Sequence, residues 1–304
     1  MALLTGFVTV VVVILCGVAL AHAGVLDSRA QRTLSEVSFY VAVPALMVLT
    51  ISRVEVGSAM VANLAASATS LLVTATVYAL VAGLVWRRDA GAVVIGALSS
   101  SYVNAGNLGV AVAAYVVGDT GVVVPTLLVQ LLLVQPVALV WLDRHTGHRG
   151  GAGRVVRRVV TNPLTIASCL GVVLAVTGWR LPELVESPVR MLAGLAIPAM
   201  LLAYGAALRL SPPVGRSGHN REVALATVLK LAVMPALAAG VALLFGLEGA
   251  VLLGVVITAA LPTAQNIFLH ATRYRVGEGV SRETILVTTV CSLPVAVVIA
   301  LLLA

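Results

Sequence analysis

Charged side chains are scarce in this sequence. They make up 10% of the 304 residues, whereas hydrophobic residues make up 60%. Because about a quarter of the residues in soluble domains are charged, this composition excludes an ordinary water-soluble domain and indicates a chain that lies mostly in lipid. The formal net charge of +7 comes from basic residues in short segments between apolar runs, a pattern that predicts membrane topology and no nucleic-acid partner.

Cysteines and catalytic motifs are also few. The three cysteines, Cys16, Cys169 and Cys291, lie in apolar segments without the spacing of metal ligands, so they predict neither a metal site nor a disulfide. The sequence has no HExxH motif, no paired aspartates within an apolar run and no Ser/His/Asp grouping. We therefore expect no enzyme, no catalytic residues and no cofactor.

Apolar runs long enough to cross a bilayer occur ten times. A hydrocarbon core of about 30 Å requires roughly 20 helical residues. The runs are residues 2–21, 37–51, 61–85, 91–117, 122–142, 159–178, 189–208, 223–245, 249–271 and 284–304. They predict an all-α integral membrane protein with ten transmembrane helices.

The arginines predict the orientation of these spans. If alternate loops lie on opposite sides, fifteen arginines fall on one side and only Arg53, Arg180 and Arg190 on the other. Basic loops face the cytoplasm, so we expect both termini outside. The preference for Arg over Lys is typical of a GC-rich bacterial genome, which favours a bacterial cytoplasmic membrane. The run AHA at residues 21–23 also resembles a signal-peptide cleavage site, but the first five residues carry no Lys or Arg.

The two halves of the chain resemble each other. The motifs VAVPALM and LAIPAML lie 154 residues apart, and Pro136 and Pro294 lie 158 residues apart. Because each half holds five spans, an odd number, the second half is inverted relative to the first. We predict a first repeat over residues 1–142, a basic cytoplasmic linker over 143–158 and a second repeat over 159–304. Inverted repeats are typical of secondary transporters; the alternative is duplication without transport, as in some channels.

Two spans are interrupted near their middle. The fourth contains NAGNLG at residues 104–109, and the ninth contains LPTAQN at residues 261–266. Each interruption begins about 12 residues into its span, roughly 18 Å deep, where broken backbone survives only if it is buried or lines a cavity. Gly106 and Gly109 tolerate unwound backbone, and Pro262 removes a helical hydrogen bond.

These interruptions predict an anion site. The second half of each broken helix would start near the bilayer midplane with free N–H groups and a partial positive charge, and two such ends that converge on a cavity favour an anion. The predicted substrate-binding residues around the two breaks are Asn104, Gly106, Asn107, Gly109, Pro262, Thr263, Gln265 and Asn266. The alternative is that the amides only satisfy broken backbone and contacts between helices.

The charge inside the predicted spans is basic. All twelve acidic residues lie in loops or at span ends, whereas cation pumps and proton antiporters usually hold their ion on a buried carboxylate. Lys230, the only lysine, lies roughly 12 Å inside the eighth span. We expect it to bind the substrate by neutralising a carboxylate, or to take part in proton coupling, unless it extends along its apolar stem to the headgroups.

Four motifs resemble the auxin efflux carrier family, the bacterial relatives of the plant PIN proteins. They are SFYVAVPALM in span two, SSSYVNAGNLGV followed by VVGD in span four, LKLAVMPALA in span eight and AALPTAQNIFLHA in span nine. The resemblance extends over essentially the whole chain. Two departures are the absence of the long hydrophilic central loop of the plant proteins, and Val110 and Ala111 where many relatives carry a proline.

The resemblance implies a fold similar to that of bile-acid/sodium symporters, in which helices four and nine cross at their breaks. Helices 1, 2, 6 and 7 would form a scaffold, often dimeric, and helices 3–5 and 8–10 a transport bundle that moves like an elevator. Family members carry carboxylates such as malonate, malate or indole acetate.

We therefore expect a secondary transporter for small organic anions: monocarboxylates, dicarboxylates or auxin-like acids. It would work as a uniporter or with protons, as a homodimer surrounded by lipid. A sodium-coupled anion symporter of the same fold is the second hypothesis, because amide and backbone oxygens can hold sodium without a carboxylate. A cation/proton antiporter and a channel or sensor are the remaining ones.

Overall fold

The computed structural model describes residues 2–53, 57–145, 153, 156–157, 160–210, 215 and 217–303. Most of the predicted basic linker, residues 143–158, lies outside these ranges. Within them the secondary structure is helical, and the only β interaction is one isolated bridge. The prediction of an all-helical chain is confirmed for this part of the protein.

The described helices are labelled α1 to α12. They are α1 (Ala2–His22), α2 (Ser28–Ile51), α3 (Ser58–Val85), α4 (Ala90–Ser101), α5 (105–117), α6 (Thr120–His145), α7 (Pro163–Thr177), α8 (Glu183–Leu210), α9 (Asn220–Leu244), α10 (Gly249–Ala260), α11 (Asn266–Tyr274) and α12 (Glu278–Leu303). Of these described helices, seven are long and apolar enough to cross a membrane, namely α1, α2, α3, α6, α8, α9 and α12, while α4, α7 and α10 are shorter and apolar. The chain is therefore an integral membrane protein; the count of ten spans and the inverted repeat stay predictions.

Local sequence signals account for several helix ends. The side chains of Asp27, Asp89 and Asn162 accept hydrogen bonds from backbone N–H groups in the first turns of α2, α4 and α7, as expected for residues that cap helix N-termini. Gly118 and Gly178 follow α5 and α7 with left-handed backbone, φ 85° and 67°, a conformation that ends helices and favours glycine.

The contacts within the chain define two compact units. Unit 1 comprises residues 1–60, 106–124 and 158–212, and so includes α1, α2, α7, α8 and nearly all of α5. Small residues bring its helices together: a Cβ atom at Gly17 would lie 2.3 Å from the Leu202 carbonyl oxygen, and one at Gly205 would lie 2.0 Å from the Ile14 carbonyl oxygen. Such close backbone contact is how helices pack in lipid, where apolar side chains gain little from leaving the solvent.

Unit 2 comprises residues 61–105, 125–157 and 213–304. It contains most of α3 and α6, together with α4 and α9 to α12. Its interior is rich in hydroxyl groups, many of which donate to backbone carbonyls one turn earlier, as Thr74 does to Ser70 and Ser99 does to Ile95. Through these hydrogen bonds the buried hydroxyl groups have acceptors within their own helices.

Candidate functional site

Helix α10 ends because of Pro262. The missing N–H of Pro262 deprives the Thr258 carbonyl of its helical donor, and the Leu261 N–H donates to Thr258 instead, at 3.3 Å. Leu261 has extended backbone, φ −60° and ψ 155°, the conformation favoured before proline. The chain then stays non-helical until α11 begins at Asn266.

Helix α4 ends without a proline. The hydroxyls of Ser100 and Ser101 both donate to the Ala97 carbonyl, at 2.8 and 2.7 Å, and Tyr102 turns the backbone into an extended conformation, φ −80° and ψ 113°. The break therefore lies at residues 102–104, and the chain is helical again from Ala105 as a π-helical turn that ends at Gly109. The prediction of unwound backbone at Gly106 and Gly109 is wrong, since both residues lie in that turn. Helix α4 already ends before them, through the Ser100 and Ser101 hydroxyls and a bridge to residues 262–264.

The two breaks pair with each other in unit 2. Val103 and Thr263 form an antiparallel bridge, in which the Asn104 N–H donates to the Pro262 carbonyl at 2.8 Å and the Ala264 N–H donates to the Tyr102 carbonyl at 3.1 Å. We call residues 102–104 and 261–265 the crossover. Backbone groups freed from two helices thus satisfy each other in the interior, as lipid requires.

Two side chains from other helices complete the crossover. The Val103 N–H donates to Gln130 Oε1 at 2.7 Å, and the Thr263 N–H donates to Thr288 Oγ1 at 3.1 Å. Gln130 lies in α6 and Thr288 in α12, and they are 158 residues apart, the same offset that relates Pro136 to Pro294. Under the predicted repeat, Gln130 and Thr288 would occupy equivalent positions, and each accepts a hydrogen bond from a backbone N–H of the crossover.

Two buried amide groups beside the crossover have donors without acceptors. Asn104 is 3% exposed and Gln130 is 1% exposed, yet Asn104 Nδ2 and Gln130 Nε2 have no hydrogen-bond partner among the described residues. The orientation of Gln130 is fixed, because its oxygen must face the Val103 N–H. A buried donor left unpaired costs about 1–3 kcal/mol, so these groups suit a ligand that brings oxygen acceptors.

Lys230 stabilises the end of α10. It lies in the π-helical turn Leu229–Val233 and is 0% exposed, and its Nζ donates to the Ala259 carbonyl at 2.6 Å. In a continuous helix that carbonyl would accept from Thr263, whose N–H is used elsewhere. The ammonium also faces the negative end of the α10 dipole. Because Lys230 is fully buried, the alternative that it extends to the headgroups is wrong.

The structure gathers most of the predicted site residues in unit 2. Asn104, Pro262 and Thr263 belong to the crossover itself, and the Thr263 hydroxyl also donates to the Ser99 carbonyl at 2.5 Å. Gln265 precedes α11 without a side-chain cap, and Asn266 begins that helix with a buried Oδ1 that has no described partner.

The N-terminus of α11 is partly satisfied. The Ile267 N–H donates to Ala264 and the Phe268 N–H to Gln265, at 3.2 and 3.1 Å, so these two groups are not free for a ligand. The predicted residues Gly106, Asn107 and Gly109 belong to unit 1. The side chain of Asn107 lies outside what the structure describes.

Gln130 and Thr288 were missed by the sequence prediction. Each is a polar residue within an apolar run, and a single glutamine or threonine there is easily taken for a core residue. The signal was the 158-residue offset, which places the two at equivalent positions although their side chains differ.

These features define the chain as a multi-pass helical membrane protein with a crossed pair of broken helices. Its sequence matches the family described as "Membrane transport protein" over residues 2–144 and 152–300. The chain belongs to this family, so the predicted membership of the auxin efflux carrier family is confirmed, and the protein is a membrane transporter rather than an enzyme.

Relatives come from bacteria, archaea and plants. A protein of Rhizobium meliloti (strain 1021), whose name proposes malonate transport, is 28% identical over 278 residues, which are 83% of this chain and 81% of the relative. An uncharacterized transporter of Methanothermobacter thermautotrophicus is 27% identical, with 84% and 83% covered. Auxin efflux carrier component 7 of Arabidopsis thaliana is 25% identical over 153 residues, which are 49% of this chain and 25% of the plant protein.

Proposed function

We propose that this protein is a secondary transporter that carries small organic anions, monocarboxylates or dicarboxylates, across a bacterial cytoplasmic membrane. The substrate binds beside the crossover. The observation that carries the proposal is the pair of unpaired amide donors on Asn104 and Gln130, which are buried next to broken helices. A carboxylate accepts hydrogen bonds through two oxygens, so one such group can satisfy both donors.

The charges of unit 2 support an anionic substrate. The described acidic residues of unit 2 lie in loops or near helix ends, whereas Lys230 is buried beside the crossover. A negatively charged ligand there gains from a nearby cation in surroundings of low dielectric constant. The names of the relatives are in line with this substrate class, since they refer to malonate and to auxin.

Alternating access in this proposal is an elevator motion. Unit 1 serves as the scaffold, through which two copies form a homodimer, and unit 2 is the transport bundle that carries the substrate. The grouping of α1, α2, α7 and α8 into one unit and of α9 to α12 into the other supports this division of roles. Helix α5, the second half of the fourth predicted span, was expected in the transport bundle but belongs almost entirely to unit 1.

Sodium has no role in this mechanism. Unwound carbonyl oxygens at broken helices can bind sodium in transporters, and here one such carbonyl, that of Ala259, instead accepts a hydrogen bond from the Lys230 ammonium at 2.6 Å. We therefore propose a uniporter or a proton-coupled transporter, and not the sodium symporter or the cation antiporter.

Counterflow in proteoliposomes tests the proposal. Vesicles loaded with unlabelled malonate should accumulate labelled malonate transiently, and malate or indole acetate should compete whereas choline should not. Asn104→Ala removes one unpaired donor and should abolish or strongly reduce this exchange. Asn220→Ala, at an exposed amide on the first residue of α9, is the matched control and should exchange like the wild type. Flux that neither saturates nor shows counterflow would indicate a channel and reject the proposal.

A further inference from the structure

Three acidic residues near helix ends are buried in unit 2. They are Asp143, Glu222 and Glu283, which are 5%, 4% and 1% exposed. Their positions near span ends agree with the sequence prediction, but their burial was not expected. Glu222 forms an ion pair with Arg88 and Glu283 accepts a hydrogen bond from the Ser217 N–H. Asp143 has a different environment.

The Asp143 carboxylate has one neutral partner. Its Oδ1 accepts a hydrogen bond from the Tyr274 hydroxyl at 2.5 Å, and its Oδ2 is buried with no partner. None of the ion pairs found among the described residues includes Asp143. An ionised carboxylate in this position is buried without a cation among its described partners, and such burial is unfavourable.

The bond joins the ends of two helices. Asp143 is the third residue from the end of α6, and Tyr274 is the last residue of α11. Beyond Tyr274 the chain turns through left-handed backbone at Arg275, φ 55°, and a Cβ atom at Gly277 would lie 2.9 Å from the Ile95 side chain. The ends of α6 and α11 and the start of α4 therefore pack together, with Leu142, Ile95 and Tyr274 in one apolar cluster.

Several titratable or charged residues occur on the packed elements. They are Arg144 and His145 on α6, His270, Arg273 and Arg275 on or after α11, and Asp89 before α4. The His145 ring stacks on Trp141, the Arg273 guanidinium lies 5.9 Å from the centre of the Tyr274 ring, and Asp89 caps α4. Among the described residues of this end, Asp143 is thus the buried acidic group, and its protonation breaks none of the ion pairs found there.

We infer that Asp143 and Tyr274 form a proton-sensitive latch between the ends of α6 and α11. When the carboxylate is ionised, the Tyr274 hydroxyl donates to a charged acceptor and the bond is strong. A proton on Oδ2 removes the charge and leaves a weaker, neutral bond, so the two helix ends separate more easily. The proton comes from water at this end of the unit, which is the predicted cytoplasmic end.

The latch acts on the helices that hold the crossover. Helix α6 carries Gln130, and also Gln135, which accepts a hydrogen bond from the Tyr102 hydroxyl at 2.9 Å. Helix α11 begins at Asn266, directly after the crossover. The link from latch to transport rests on the proposed function, because only a transporter has an exchange rate for the latch to control.

The first test measures malonate counterflow at equal pH on both sides of the vesicle membrane. Asp143→Asn mimics the protonated latch, so its rate should equal that of the wild type at low pH. At higher pH the two rates should diverge by about fivefold, the ratio expected when a charged acceptor replaces a neutral one. The ratio of variant to wild type at each pH cancels the ionisation of malonate itself.

Tyr274→Phe removes the latch but keeps the carboxyl group, so the ratio of its rate to that of Asp143→Asn should be the same at every pH. Asp89→Asn, at an exposed cap where asparagine also caps, should follow the wild type. A wild-type pH profile in Asp143→Asn would overturn the inference, and so would a wild-type pH profile in Tyr274→Phe.

The second test does not need transport. Infrared difference spectra of the purified protein should show a protonated carboxyl band that titrates in the wild type and in Asp89→Asn and is missing in Asp143→Asn. If no carboxylate is exchanged, the proposed function fails while this spectrum still decides whether Asp143 binds a proton. Identical spectra for the wild type and Asp143→Asn would overturn the inference even if counterflow is normal.

Discussion

Substitutions at Gln130 and Thr288 can distinguish a role in substrate binding from a role in supporting the backbone of the crossover. Gln130→Met keeps the length of the side chain but removes both the acceptor for the Val103 N–H and the unpaired donor. Thr288→Val keeps the shape of threonine and removes the acceptor for the Thr263 N–H, together with the hydroxyl's own hydrogen bond to the Thr284 carbonyl. Each variant leaves one backbone N–H buried and unpaired, so each should lose about 1–3 kcal/mol of stability.

Only Gln130→Met should also lose affinity for substrate. A hydrogen bond to a charged group contributes about 1.5–3 kcal/mol, and about 1.4 kcal/mol corresponds to a factor of ten. The Kd for malonate should therefore rise about 10- to 100-fold in Gln130→Met and stay within about threefold of the wild type in Thr288→Val. Ligand-induced thermal shifts and the concentration dependence of counterflow measure this difference. Equal changes in both variants would show that Gln130 only supports the backbone.

Three further results follow from the structure. Lys230→Met leaves the Ala259 carbonyl without its donor, so the free energy of unfolding should fall by about 1–3 kcal/mol; unchanged stability in a denaturation assay would contradict the proposed role. Replacing sodium by choline should leave wild-type exchange unchanged, and a strict need for sodium would reject the proposed uniport or proton coupling. Gly205→Ala places a Cβ atom 2.0 Å from the Ile14 carbonyl oxygen and should lower thermal stability by at least about 1–3 kcal/mol, whereas Gly194→Ala, with no atom within 4 Å, should not.

The helical class and the break in the ninth span could be predicted from sequence because each depends on a property of single residues. Apolar run length is set by bilayer thickness, and Pro262 removes an N–H wherever it stands in a helix. The break in the fourth span was placed slightly too late. This break depends on the hydroxyls of Ser100 and Ser101 and on a bridge to Thr263, 160 residues away from Val103. No local sequence pattern reveals such a distant contact.

The roles of the polar side chains were harder to predict for the same reason. The sequence places Lys230 inside a span. Whether its side chain contacts a substrate, a headgroup or a backbone carbonyl depends on where α10 ends. Gln130 was missed because its importance comes from the Val103 N–H, a group that becomes available only when α4 breaks. The burial of Asp143 depends on how α6 packs against α11, and a position near a helix end gave no indication of it.

The bridge between Val103 and Thr263 can form only late in biosynthesis. The Val103 N–H can find Gln130 as soon as α6 has been made, but the Tyr102 carbonyl and the Asn104 N–H need residues that follow about 160 positions later. At about 5–20 residues per second, a ribosome takes roughly 8–30 s to supply them. During that interval the nascent first half has polar backbone exposed at membrane depth, which is costly in lipid. We therefore expect the insertion machinery to shelter this half until the ninth span arrives.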